Sequence, residues 1–198
     1  MSKTQWKPGT LVYPLPAVMV SCGNKTEDFN IITISWTGTI NTNPPMLYIS
    51  IRPERYSYSI IKKSGEFVIN LTNKDIAFAT DWCGVKSGRD FNKFKEMNLH
   101  PIPATKINAP MIDEAPINIE CKVKQIIPLG SHDMFIAEVI NIHADEKYID
   151  PKTETFDMQK AGLIAYSHGN YYELGNKIGH FGFSVKKKKK KKKSKYKK

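Results

Sequence analysis

Two stretches of the chain hold residues whose types and spacing suit one kind of chemistry. The first, TISWTGTINTNPPMLYISIRPERYS at 33–57, ends an apolar strand in Ser, Trp, Thr and Gly. It then crosses a double-proline turn into a second strand that stops at Arg52. The second, CGVKSGRDFNKF at 83–94, places Ser87, Arg89 and Lys93 in a stretch without regular periodicity. Hydroxyls, free backbone N–H groups and a few cations gathered at a strand end and a helix start are what a phosphate monoester requires, because each oxygen that leaves water must find donors. The candidate donors are the backbone and hydroxyls of Thr37 to Thr39, then Arg52 and Ser57, then Ser87, Arg89 and Lys93. These are also ordinary turn and cap residues, and spacing alone does not separate the two readings.

Other chemistries lack their signatures. No G-x-G-x-x-G, G-K-[ST], H-E-x-x-H or G-x-S-x-G occurs, which removes the usual dinucleotide, nucleotide, metalloprotease and hydrolase loops. His100, His132, His143, His168 and His180 are scattered without ligand spacing, so metal catalysis has no support. The three cysteines, Cys22, Cys83 and Cys121, are far apart and odd in number, which fits reduced thiols better than a disulfide framework or a zinc site. Cys83 reads as a small buried apolar residue rather than a redox thiol.

The elements that must carry these residues are mostly strands. VYPLPAVMVSCG, FNIITISWTGT, MLYISIR, EFVINL, INIECKVKQIIPL and DMFIAEVINIHA are β-branched or aromatic runs bounded by turn residues. RYSYSIIKKSG predicts a short helix closed by Gly65, and NKDIAFATDWCG a second one with Asn73 as N-cap and Gly84 as the stop. Residues 85–116 show no clear period. In MLYISIR, Leu47, Ile49 and Ile51 alternate with Tyr48 and Ser50, so one side of the strand faces a core and Arg52 falls with Ser50 on the other. The pattern predicts a mainly β fold, a closed or nearly closed antiparallel barrel with a few attached helices.

Composition sets the outer bounds. A chain of 198 residues suits one domain with a core large enough to need no staple, expected here over residues 1–185. The net charge of +11 resides in the eleven lysines of KKKKKKKKSKYKK at 186–198, leaving the remainder neutral. That run reads as a disordered tail that attracts polyanions without specificity, so no specific nucleic-acid partner is expected. No apolar run reaches the ~20 residues of a membrane helix, and MSKTQWKPG lacks a secretory apolar segment, so the expected location is the cytoplasm. The N-x-T sequons at Asn24 and Asn70 then carry no weight.

Taken in order, VYPLPAVMVSCG, NIITISWTGTINTNPPMLYISIRPERYSYSIIKKSGEFVINL, DWCGVKSGRDFNKF, PLGSHDMFIAEV and YYELGNKIGHFGFSV resemble the flavin reductase-like, FMN-binding split-barrel family, above all its flavoredoxin-type members. The resemblance covers nearly all of residues 10–185. It implies a homodimer of split β-barrels of Greek-key type that holds FMN noncovalently and moves electrons between NAD(P)H, or a redox partner, and the flavin. Carried onto this chain, it places Trp36, Thr37, Gly38 and Thr39 beside the ring system and ribityl chain. Ser50, Ile51 and Arg52 continue the site, with Arg52, Ser57 and Tyr56 on the phosphate and Lys93 as a further cation near the flavin. Many members carry Gly-Asp-His before a late strand, associated with nicotinamide, where this chain has Gly130, Ser131 and His132 followed by Asp133. His132 is thus a candidate to line the flavin or nicotinamide site, and the resemblance leaves a noncatalytic electron carrier as the alternative to a reductase. No residue stands out as acid, base or nucleophile, as expected where the cofactor performs the electron transfer.

Overall fold

The computed structural model describes residues 1–185; the lysine run expected as a tail at 186–198 lies outside the described residues. Each of the six strand-like runs forms strand, although two of them break. The first divides into β1 (Leu15–Pro16) and β2 (Val18–Cys22), and the second into β3 (Asn30–Ile34) and β4 (Thr37–Thr42). β5 (Pro45–Ile51) leads through α1 (Tyr56–Ser64) to β6 (Glu66–Leu71). Then follow α2 (Ala77–Val85), α3 (Lys93–Glu96), the short pair β7 (Pro101–Ile102) and β8 (Met111–Ile112), and the long hairpin β9 (Ile117–Pro128) and β10 (Asp133–Ala144). A last hairpin, β11 (Ile164–Ser167) and β12 (Asn170–Glu173), pairs with β1.

Seven strands form one antiparallel sheet in the order β3-β2-β6-β9-β10-β5-β4. Its two outermost strands, β3 and β4, are consecutive in the chain and joined by Ser35 and Trp36. The sheet therefore curls back on itself through the covalent chain, which makes it a split barrel. The bonding between β4 and β5 runs up to the Ser50 N–H, which donates to the Trp36 carbonyl at 2.9 Å. Beyond it, β3 and β5 form no ladder among the described residues, and this is the split.

Burial explains the runs. Val18, Val20 and Cys22 of β2 point into the barrel with Ile32, Ile49, Ile51, Phe67 and Phe135, while Met19 and Ile31 point outward under Ile76, Ala79, Cys83 and Phe94. β2 is buried on both faces, so it reads as continuously apolar rather than alternating. β5 shows the expected alternation, with Leu47, Ile49 and Ile51 buried. Asn70 is fully buried. Its amide donates to the Met19 carbonyl at 2.9 Å and its Oδ1 accepts from the Ile112 N–H at 3.0 Å, which ties β8 to the sheet.

Helix ends follow the cap chemistry with one correction. α1 closes at Gly65 in the left-handed region, φ 68°, where its N–H donates to the Ile61 carbonyl at 2.8 Å. Asn73 caps as expected, its side chain accepting from the Ile76 N–H at 3.3 Å, but the turn it starts is a 3-10 turn that leads into α2. Gly84 is not the stop, because α2 continues to Val85. A Cβ at Gly84 would stand 3.1 Å from the Thr33 Cβ, so the absent side chain lets α2 lie close on β3. The stretch 85–116, read as irregular, holds α3 and the β7–β8 pair, with Asn92 capping α3 through the Lys95 N–H at 3.1 Å.

Candidate functional site

The split between β3 and β5 opens into two clefts that share Ile32, Arg52, Arg55 and Gly84. The first, of about 230 Å³, lies where β5 ends and α1 begins. Arg52, Arg55, Lys86, Arg89 and Lys93 line it against a single carboxylate, Glu54. The first turn of α1 also faces it, and Arg55 at the N-cap gives that turn no side-chain acceptor. Ser57 is buried at the cleft floor and accepts from the Asn30 amide at 2.7 Å.

The loop after α2 closes over this cleft by specific contacts. The Arg89 guanidinium donates to the Glu54 carbonyl at 3.2 Å and lies 5.7 Å from the centre of the Tyr56 ring. Ser87 Oγ accepts from the Arg89 N–H at 3.2 Å, which tightens the turn. Gly88 makes the approach possible, since a Cβ there would meet Asn30 Oδ1 at 2.1 Å and the Tyr56 ring at 2.8 Å. Lys93, the first residue of α3, reaches under the loop and is 4% exposed. Its ammonium donates to the carbonyls of Ile31 at 2.8 Å and Cys83 at 2.7 Å.

The second cleft, of about 370 Å³, gathers aromatic and aliphatic side chains together with polar ones. The Trp36 and His132 rings are parallel, with centres 6.3 Å apart, and the Tyr166 and Tyr171 rings meet edge to face at 5.6 Å. Tyr171 donates from its hydroxyl to Asp81 Oδ1 at 3.1 Å, which fastens the β11–β12 hairpin to α2. Burial, then repulsion from the Arg52 guanidinium, lowers the His132 pKa and favours its neutral ring. Ile32, Ile34 and Ile51 supply apolar surface, and Ser50 stands at the strand edge.

Of the residues named from the sequence, Arg52, Tyr56, Ser57, Ser87 and Lys93 meet in the basic cleft, and Trp36, Ser50, Ile51 and His132 in the aromatic one. Thr37, Gly38 and Thr39 line neither cleft. The β4–β5 ladder accounts for them: Thr37 donates from Oγ1 to the Tyr48 carbonyl at 2.6 Å, and Gly38 and Thr39 sit opposite Tyr48 and Leu47. Sequence reasoning passed over Arg55, which stands inside the quoted RPERYS and whose place at a helix start was a usable signal. It also missed Asp81, Tyr166 and Tyr171, whose approach depends on how β11 and β12 fold back. Cys83 lines the basic cleft with its thiol buried and its pKa pushed up to about 11, the environment of an unreactive cysteine.

A split antiparallel barrel that keeps a cation-lined cleft beside an aromatic one defines a barrel suited to a ligand with an anionic end and a flat ring. The chain belongs to the family described as the flavin reductase like domain, whose model matches residues 10–175. It is similar to the flavoredoxin of Desulfovibrio vulgaris (Miyazaki F), with 27% identity and a TM-score of 0.86 over 93% of this chain and 100% of that one. The FMN-binding protein of Thermus thermophilus shares the fold at 20% identity, with a TM-score of 0.77 over 90% of this chain and 99% of that one. An uncharacterised protein of Archaeoglobus fulgidus is 28% identical over 143 residues, 72% of this chain and 80% of its own length.

Proposed function

We propose that the chain binds FMN noncovalently, with the phosphate in the basic cleft and the ring system in the aromatic one, and works as an oxidoreductase passing electrons between NAD(P)H or a redox partner and the flavin. The observation that carries this reading is the continuity of the two clefts through Arg52 and Arg55, which lets one ligand with an anionic end and a planar end occupy both. The donor set fits the group: five cations against one carboxylate, with the uncapped first turn of α1, suit a phosphate dianion. When bound, FMN supplies a two-electron acceptor that a hydride from a reduced nicotinamide can fill.

The chain's own residues hold and orient the ligand. Arg52, Arg55, Tyr56, Ser57, Ser87, Arg89 and Lys93 bind the phosphate end. Trp36, Ser50, Ile51, His132, Tyr166 and Tyr171 enclose the ring and exclude water, and the strand-end backbone at Ser35 and Trp36 offers polar groups to the ring's edge. The homodimer is proposed from the family resemblance of the sequence. No helix among the described residues is long and apolar enough to cross a membrane, and the proposed location is the cytoplasm.

A noncatalytic electron carrier on the same barrel is the second reading. Its support is the likeness to a flavoredoxin and the Ser131 that stands where many reductases hold an acid. The purified protein should be yellow, and a colourless protein that takes up no FMN refutes both readings. Anaerobic mixing with NADH and NADPH separates them. Bleaching within seconds supports the reductase, and unchanged oxidised flavin supports the carrier.

A further inference from the structure

We infer that Lys93 and the ligand's phosphate are linked through a proton, so that affinity for a phosphate-bearing flavin falls in alkaline solution while affinity for the dephosphorylated form does not. The inference rests on the placement of FMN proposed above and adds to it a regulation of the same site.

The geometry is that of a cation waiting for its counter-ion. Lys93 lines the basic cleft yet is 4% exposed. Two of its three ammonium donors are spent on the Ile31 and Cys83 carbonyls, at 2.8 and 2.7 Å, which leaves one. No carboxylate forms an ion pair with it among the described residues. Burying an ammonium without an opposite charge disfavours its protonated form. Burial, reinforced by the Arg55 guanidinium, brings the Lys93 pKa down to about 8.

Charged and titratable neighbours approach Lys93 from every element packed around it. From α2 comes Cys83, and from β2 Cys22, with thiols pushed up by burial to about 11 and about 12. From the start of α1 come Arg55 and Tyr56, from the end of β5 Arg52 and Glu54, and from the loop after α2 Lys86 and Arg89. The arginines keep their charge throughout. A phosphate monoester is dianionic above about pH 7, so its own titration is complete below this window.

The sign follows from linkage. Below about pH 8 the free protein already holds the proton, and the phosphate meets an ammonium. Above that pH the free lysine is neutral, and binding must recruit a proton from solution, at about tenfold in affinity per pH unit until the bound lysine itself titrates. Riboflavin brings the same ring and no phosphate, so it recruits no proton.

The test is fluorescence titration of the apo-protein with FMN and with riboflavin at several pH values. The ratio of FMN to riboflavin affinity should fall about tenfold between about pH 7 and about pH 9. Titration at about pH 8.5 by calorimetry in two buffers of different ionisation enthalpy should show uptake of about three quarters of a proton with FMN and none with riboflavin. K93R, which keeps its charge, should flatten the ratio across the range, and K93M should hold it at the alkaline level. A ratio in the unmutated protein that stays constant from about pH 7 to about pH 9 while both flavins bind overturns the linkage and leaves the proposed function standing. Failure of both flavins to bind overturns the proposed function itself.

Discussion

Arg52 is the residue at which the two clefts meet, and removing its guanidinium tests what each cleft holds. A shielded charge-assisted hydrogen bond is worth roughly 1.5–3 kcal/mol. Arg52 falls below that range, because its side chain is 56% exposed and already lies 3.7 Å from the Glu54 carboxylate. Solvent screening and that competing partner bring the expected loss for Arg52→Ala to about 1–1.5 kcal/mol, or about five- to tenfold in FMN affinity. Arg55, Arg89 and Lys93 remain to hold the phosphate, so binding weakens without vanishing. Riboflavin affinity should stay within about twofold of the parent's, and the urea midpoint should not move, since no buried contact is lost. The same substitution removes the cation that, after burial, depresses His132, so the His132 proton resonances should titrate at higher pH. Fluorescence titration with both flavins at low ionic strength reads the affinities. Equal losses for FMN and riboflavin would show that Arg52 does not read the phosphate, and an unchanged FMN affinity would place the phosphate elsewhere.

Two other expectations rest on buried contacts. The fully buried Glu120 is hydrogen-bonded by His143 at 2.7 Å, by the Thr105 and Lys106 N–H groups at 3.0 and 2.7 Å, and by Asn141 at 3.0 Å. Burial alone would raise its pKa, but these donors outweigh it and bring the pKa from 4.5 down to about 2. The carboxylate therefore contributes about 3 kcal/mol that is fully present above about pH 4.5 and lost as pH falls toward 2. Glu120→Gln should lower the stability measured in urea by about 2–4 kcal/mol at neutral pH and by much less near pH 3, and an equal loss at both would refute the account. Gly88→Ala must displace the Asn30 side chain or the Tyr56 ring, so it should cost about 1–3 kcal/mol and weaken FMN more than riboflavin. A crystal structure of the variant in which the loop, Asn30 and Tyr56 all keep their places would contradict the argument.

The barrel was legible because EFVINL, INIECKVKQIIPL and DMFIAEVINIHA are rich in β-branched residues and bounded by turn residues, and each forms a strand. The break at Ser35 and Trp36 was not, since the run FNIITISWTGT carries no proline or turn pair there and only the meeting of β3 and β5 around a cleft interrupts it. Half of the basic cleft was readable from RPERYS, where a strand end, a proline and a helix start coincide. Arg89 was visible as a cation but not as the clasp on Glu54 and Tyr56, because loop conformation depends on Gly88 fitting against Asn30. Thr37 to Thr39 stand outside both clefts, and the spacing could not show this, because a hydroxyl near a strand end looks alike whether it faces a ligand, solvent or, as at Thr37, a neighbouring strand. Tyr166 and Tyr171 belong to strands of four residues each, too short to announce themselves.

The free edge of β3 faces the end of β5 beyond Ser50 across the split, and α2 and the β11–β12 hairpin overhang it through Asp81, Gly84, Tyr166 and Tyr171. An exposed strand edge ordinarily invites a strand from another molecule and with it edge-to-edge aggregation. Here the β3 edge is turned toward β5 across a cleft of about 370 Å³, with α2 and the β11–β12 hairpin over it, rather than toward open solvent. The fold that leaves backbone groups of β3 free for a ligand thus also keeps that one edge from serving as a template for a strand of another molecule.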